Sequence, residues 1–228
     1  MKERPILFKA HEVNGVLEGR QTQVRRVVKP NAYQARFIDR GIFKSDWHPY
    51  DFVAPTDNPK EYCKFDCPYG KVRDKLYVRE RFSLGSDSAG TPIMATYPRP
   101  GYIIGDIDDD FRMHPDAPEG SDNWCLEWKV RSGAQMPRWA SRLYLEITDI
   151  WLERLNNISS DDVGAEGLIP GVMDFGQRYY QFHDDPDAEG LPHDVFAHLW
   201  ESINGKGSWG ENPYVWVIEF KVVACESA

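Results

Sequence analysis

The sequence predicts an α+β fold: a twisted or barrel-like sheet with short flanking helices and loop-rich insertions. Three observations lead there. Strand-like apolar runs outnumber helical ones, and the helical runs are short and sit between the strands. Neither strict βα alternation nor a repeat of about 20–50 residues is present. The chain has 228 residues, enough for one core, and is read as a single domain over residues 1–228 with irregular insertions at about 31–70 and 84–122. Hydrophobic residues make up 41% and aromatics 13%, which excludes a disordered chain.

The elements follow in order. PILF (5–8) reads as a short apolar strand. Val13, Val16 and Leu17 fall at helical spacing and Gly19 follows, so residues 10–18 form a short helix stopped by that glycine. TQVRRVV is a strand that puts Val24, Arg26 and Val28 on one face and Gln23, Arg25 and Val27 on the other; Pro30 ends it. Residues 31–70 are irregular. KLYVRERF (75–82) is a strand, and 84–122 is a Gly/Pro/Asp-rich insertion with one short hairpin. NWCLEWKV (123–130) is a further strand. RLYLEITDIWLERL (142–155) alternates with Leu143, Leu145 and Ile147 on one face, then shifts after Thr148, which marks a bulge. SSDDVGAEGL has serine caps and first-turn aspartates, then a glycine stop at Gly167. HDVFAHLWESI (193–203) is an amphipathic helix burying Val195, Phe196, Leu199, Trp200 and Ile203. YVWVIEFKVV (214–223) is apolar on both faces and belongs inside the sheet.

The formal net charge is −9, unevenly spread. Residues 1–44 hold ten Lys/Arg against four Asp/Glu, leaving −15 for the rest. Such acidity argues against a protein that coats duplex nucleic acid, whose affinity comes largely from phosphate neutralisation. It leaves room for a local basic groove. No apolar run is long enough to cross a bilayer, and the N-terminus lacks a secretory signal, so the expected location is the cytoplasm. Four cysteines in that compartment are read as reduced. Cys63 and Cys67 would need two further ligands, His48 and Cys125 being the candidates, to bind zinc; the reading adopted is no metal and no cofactor. DIDDDF (106–111) is read as a solvated acidic loop.

Against this background GRQTQVRR (19–26) stands out, because it concentrates three arginines and three neutral polar side chains with no acid among them. Arg20, Arg25 and Arg26 suit bidentate phosphate contacts. Gln21 and Gln23 offer donors and acceptors for a base edge. The alternative is a solvated face with salt bridges to the acidic body. On the strand at 75–82, Glu80 needs a partner and is expected to find it in an arginine of the opening segment. Arg138 and Trp139 pair a cation with a stacking ring, and Ser208, Trp209 and Asn212 lie in a glycine-rich loop suited to cover a base. Glu166, at a helix end, is the candidate acid/base.

Several blocks together resemble ASCH-domain proteins, the PUA-like β-barrel modules, and in layout a phage and prophage branch of them. They are Arg4–Phe8, Gly19–Val27, Cys67–Gly70, Leu76–Glu80, Met136–Arg142, Ala165–Gly167 and Leu199–Phe220. The resemblance implies a PUA-like barrel that binds RNA, modified bases or nucleosides in a cleft beside the barrel. One bacterial branch hydrolyses acetylated cytidine with a lysine, a threonine and a glutamate. Those positions fall here on Gln21, Val24 and Glu166, so the ammonium and the hydroxyl are lost; Thr22 supplies the segment's remaining hydroxyl. Arg73 stands where the family has the glycine of a turn. The resulting expectation is recognition of a nucleotide, modified base or single-stranded RNA or DNA. Amidohydrolysis of a modified nucleoside, a nuclease-like activity, and binding to a host protein are the alternatives.

Overall fold

The computed structural model describes residues 1–32, 34–44, 52–58, 61–86, 92–96, 112–113, 130–172, 178–182 and 185–223. The described elements begin with β1 (Glu3–Leu7), α1 (Ala10–Leu17), β2 (Gln23–Val27), β3 (Phe43–Lys44), β4 (Phe52–Pro55) and β5 (Tyr62–Phe65). Next come β6 (Lys75–Arg79), β7 (Phe82–Ser86), β8 (Pro92–Thr96), β9 (Arg112–Met113), β10 (Val130–Arg131) and β11 (Tyr144–Arg154). The last are α2 (Ser160–Ala165), β12 (Ile169–Val172), β13 (Arg178–Phe182), β14 (Asp185–Gly190), α3 (Pro192–Asn204) and β15 (Tyr214–Val223).

One mixed sheet organises the chain, in the order β1-β6-β11-β15-β2. β15, the strand apolar on both faces, pairs with β11 on one side and β2 on the other. Its Trp216, Ile218 and Phe220 enter a core with Ile6, Val24, Val78 and Leu145. Its Val215 and Val217 enter a second core with Leu155, Val163, Leu199 and Trp200. Two-sided burial is therefore why its sequence reads as a continuous apolar run. The β11 register shifts between Ile147 and Asp149, where the alternation changes in sequence. Val195, Phe196, Leu199 and Trp200 are the buried side of α3, each contributing roughly 1.5–3 kcal/mol by leaving water.

Three small sheets surround this one: β10-β7-β8-β9, β12-β13-β14 and β3-β4-β5. Two of them correct the sequence reading. Residues 31–70 are not simply irregular, since β4 and β5 pair there with Phe52, Ala54, Cys63 and Phe65 turned into the core. Residues 75–82 are two strands, not one, because Glu80 and Arg81 separate β6 from β7. The acidic run 106–111 and most of 123–130 lie outside the described residues. Arg73 takes a left-handed φ of 73°, the conformation that glycine adopts freely.

The barrel expectation needs amending. β1 is parallel to β6 and the remaining pairs are antiparallel, so the two edges, β1 and β2, run antiparallel to each other. The sheet curls until these edges approach, yet among the described residues no backbone ladder joins them. A side chain spans the seam instead. Arg26 Nη2 donates to the Leu7 carbonyl (2.9 Å), and Arg26 Nη1 meets Glu12 Oε1 on α1 (2.8 Å). Its guanidinium also lies 5.6 Å from the Phe8 ring centroid. Glu12 is 6% exposed and its other oxygen accepts the Lys9 backbone N–H (2.7 Å), so both its oxygens are committed. Arg26→Met removes the bridge and leaves the Glu12 carboxylate short of a partner. It is expected to lower unfolding free energy in urea by about 1–3 kcal/mol, with part recovered in Arg26→Met/Glu12→Gln.

Candidate functional site

The segment after α1 is held by backbone on both sides. Gly19, at φ 72°, turns the chain out of the helix, and Arg20 and Gln21 donate back to the Gly15 carbonyl (2.8 and 2.9 Å). Gln21 then forms an isolated antiparallel bridge with Glu166, and Thr22 N–H donates to the Ala165 carbonyl (2.9 Å). The end of α2 is thereby fastened to the start of β2. Gln21 itself is 3% exposed. A Cβ on Gly15 or Gly167 would fall 3.0 Å from Gln21 Oε1, so the two glycines make the room its amide occupies.

Arg25 is the electrostatic centre. Its side chain is fully buried and serves three carboxylates: Glu166 (Nη1–Oε1, 2.7 Å), Glu153 (Nη2–Oε1, 2.7 Å) and Asp162 (Nη2–Oδ2, 3.5 Å). Burial works against its charge, yet these carboxylates hold the Arg25 pKa above the ordinary arginine value. Asp162 is held low despite its partial burial, by hydrogen bonds from Ser159 and Gln23 and by the Arg25 charge. Glu166 moves the other way. Burial pushes its carboxyl up more strongly than Arg25 pulls it down, because Arg25 is shared with two other acids. Glu166 Oε2 makes no hydrogen bond among the described residues, so one oxygen of this buried acid stays available.

Gln21, Arg25 and Glu166 line a cavity of about 290 Å³ at the seam, walled by β2, the start of α1, the end of α2 and α3. That is near the lower end of the roughly 300–1,000 Å³ usual for small-molecule sites. Its aromatic surface comes from Tyr69, Phe196 and Trp200. Burial pushes the Tyr69 phenol up, Arg26 beside it acting the other way, so it is a neutral hydroxyl at pH 7. Two buried polar atoms on the wall residues have no hydrogen-bond partner: the acceptor Gln21 Oε1 and the donor Trp200 Nε1. Lys9, His11 and Asn204 stand at the same cavity.

The residues singled out in the sequence do not all meet. Gln21, Arg25, Arg26 and Glu166 line the cavity; Arg20 lies just outside it, its guanidinium on Glu18 (2.5 Å) and the Gly167 carbonyl. None of these arginines is a free phosphate ligand, since each carries a carboxylate. Thr22 is exposed and absent from the cavity wall, while Val24 is core. Glu80 pairs with Arg142 in two contacts (2.9 and 3.0 Å), not with the opening segment, because β6 ends beside residue 142. Arg138 is on Glu3 (2.5 Å), and Trp139 packs on Phe82, Met136 and Ala140, away from the cavity. Asn212, at φ 42°, accepts from Asn156 N–H (2.9 Å) through its side chain, while its carbonyl takes Arg154 Nη1 (3.1 Å). Trp209 packs T-shaped against Phe196, ring centroids 6.0 Å apart, and neither it nor Ser208 lines this cavity; Ser208 Oγ is buried and unpartnered.

Sequence reasoning missed Glu12, Glu153, Tyr69, Phe196 and Trp200. Glu153 carried a signal, an acid two residues after Trp151 and so on the same strand face, and the Trp151 indole donates to it (3.2 Å). Phe196 and Trp200 were read as core and are core; the cavity opens against their rims.

No protein-family model matches the sequence, and no curated protein is significantly similar to it. Among solved structures, an ASCH domain from Lactobacillus crispatus JV V101 aligns with 97% of this chain and 79% of its own. The identity is 12% and the TM-score 0.33, too distant to carry residue roles across. Among the described residues no cluster of His, Cys, Asp or Glu could hold a metal, and no helix is long and apolar enough to span a membrane. Cys63 is buried in the core, and burial pushes the Cys67 thiol up to about 11.

The raised Glu166 carboxyl has a consequence for stability. Its folded form binds a proton more readily than the unfolded glutamate with its ordinary value of 4.5. Its contribution to folding is therefore full below that value and is lost as pH rises through the raised folded value. In urea melts across pH 4 to 8, Glu166→Gln is expected to lose this decline, so the wild-type-minus-variant difference falls with rising pH. A difference that grows with pH would contradict the assignment.

Proposed function

We propose that the chain binds a single heterocyclic base, as a nucleoside or as a base of an unpaired nucleic-acid strand, in the seam cavity. One observation carries the reading: an aromatic-walled cavity of nucleoside-accommodating size whose wall residues hold an unpartnered acceptor, Gln21 Oε1, and an unpartnered donor, Trp200 Nε1. Each such buried group costs about 1–3 kcal/mol while unmet. A ligand that draws these two atoms to the cavity surface, meeting them with an amino N–H and a ring acceptor, recovers that cost, and Glu166 adds a carboxyl group to the same wall. Phe196 and Tyr69 supply rings against which a base packs. The resemblance of the opening and closing blocks to PUA-like ASCH proteins supports the same ligand class.

The lining also bears on catalysis. The buried, proton-retaining Glu166 suits proton transfer, which favours hydrolysis of a modified nucleoside by an activated water as the second reading. A covalent route has less support, since Tyr69 carries the only hydroxyl on the cavity wall among the described residues.

Calorimetric titration with a panel of free nucleosides, acetylcytidine included, tests both. At least one nucleoside is expected to bind with micromolar Kd, and Trp200→Phe, which removes the indole N–H, weakens it about tenfold, near 1.4 kcal/mol. Product analysis of the same mixtures reads hydrolysis. Absence of binding to every nucleoside up to millimolar concentration would overturn the proposal.

A further inference from the structure

A second cavity, of about 480 Å³, lies along the same seam. It shares Val27 and Tyr69 with the first. The antiparallel run of the two edges explains the succession. Arg26 reaches Leu7, so moving back along β1 and forward past β2 brings Pro5 toward Val28 and Arg4 toward Lys29. Leu7, Arg25 and Arg26 wall the first cavity, and Arg4, Pro5, Val28 and Lys29 wall the second.

The two cavities differ in how their cations are paired. In the first, Arg25 and Arg26 are committed to Glu166, Glu153, Asp162 and Glu12, so neither guanidinium is free for an anion, and Lys9 is the further cation on that wall. In the second, neither Arg4 nor Lys29 has a carboxylate within ion-pair distance among the described residues. Arg4 Nη1 meets only the Pro68 carbonyl (3.2 Å), and Arg4 Nε is buried with no partner. The one acid on this wall, Asp66, is largely exposed and turned to Lys64 (3.3 Å). A buried guanidinium N–H without an acceptor is a cost that an anionic oxygen removes.

We propose that this second cavity is a phosphate subsite: the ligand is a nucleoside phosphate, its base in the first cavity and its phosphate on Arg4 and Lys29. The assignment rests on the base reading of the first cavity. It names the division of labour along the seam: neutral recognition at the Arg26 end, anion recognition at the Lys29 end, with Val27 and Tyr69 as the shared wall.

Titration of nucleosides against their own 3′- and 5′-monophosphates tests it. One monophosphate is expected to bind about tenfold tighter than its nucleoside, with an advantage that shrinks as salt is raised. Lys29→Gln, at an exposed position, reduces the advantage, and Arg4→Gln/Lys29→Gln abolishes it while nucleoside affinity is retained. Nucleosides that bind with no gain from phosphate, or a gain that survives in the double variant, would overturn the subsite and leave the base cavity standing. Failure of both series would overturn both. A trinucleotide tighter than the monophosphate identifies a strand as the source of the phosphate; equal affinity identifies a free nucleotide.

Discussion

The buried guanidinium of Arg25 is the contact on which the site depends. It joins β2 to β11 through Glu153 and to α2 through Asp162 in its first turn and Glu166 just past its end. A charge in so dry a place is tolerable only because carboxylates surround it. Sharing one guanidinium among three acids has a second effect. None is fully neutralised, and the most buried of them, Glu166, retains its proton to a higher pH than an ordinary glutamate. The same network that fastens the sheet to α2 thus sets the chemistry of the cavity floor.

Charge pairing changes what the opening stretch means. As a sequence, GRQTQVRR is a cationic run inviting phosphate. In the fold, Arg20, Arg25 and Arg26 each meet an acid contributed by another part of the chain or by the turn just before it. What remains for a ligand is the neutral part of the run, chiefly Gln21, together with aromatic surface from α3 and the loop at Tyr69. On the second cavity, Arg4 and Lys29 have no carboxylate within ion-pair distance among the described residues, and neither was singled out in the sequence as a binding residue. Their neighbourhood arises only when two strand edges distant in sequence are brought side by side.

Much of the main sheet was legible. Period-two alternation located β11 and its bulge, two-sided apolarity located β15 between two partners, helical spacing located α1 and α3, and cap residues located α2. These signals are local, and burial enforces them. The strands of residues 31–70 were not legible, since short strands broken by prolines and aspartates have little periodicity, and β4 and β5 stabilise each other by pairing across that interruption. The cavity lining was half legible. Gln21, Arg25, Arg26 and Glu166 were found from residue chemistry. Arg138, Trp139 and the Ser208–Asn212 loop do not line the cavity, because a cation beside an indole says nothing of which side of the sheet they occupy. Glu80 illustrates the same limit: its need for a partner was readable, and the identity of that partner, Arg142, is a property of strand register.

The seam is both the weak point of the fold and its opportunity. Five strands curl without a backbone ladder between β1 and β2, so the edges are bridged by Arg26 and the space beside the bridge stays open. Closing it with main-chain pairs would give a continuous barrel and no such cavity. The most direct measurement is a nitrogen–proton NMR titration that follows the Trp200 indole N–H and the Gln21 side-chain amide as nucleosides are added. The account predicts that these two signals shift first and saturably, with Arg25 and Phe196 backbone amides following. Shifts confined to the Arg138–Trp139 face, with Trp200 and Gln21 unmoved, would contradict it.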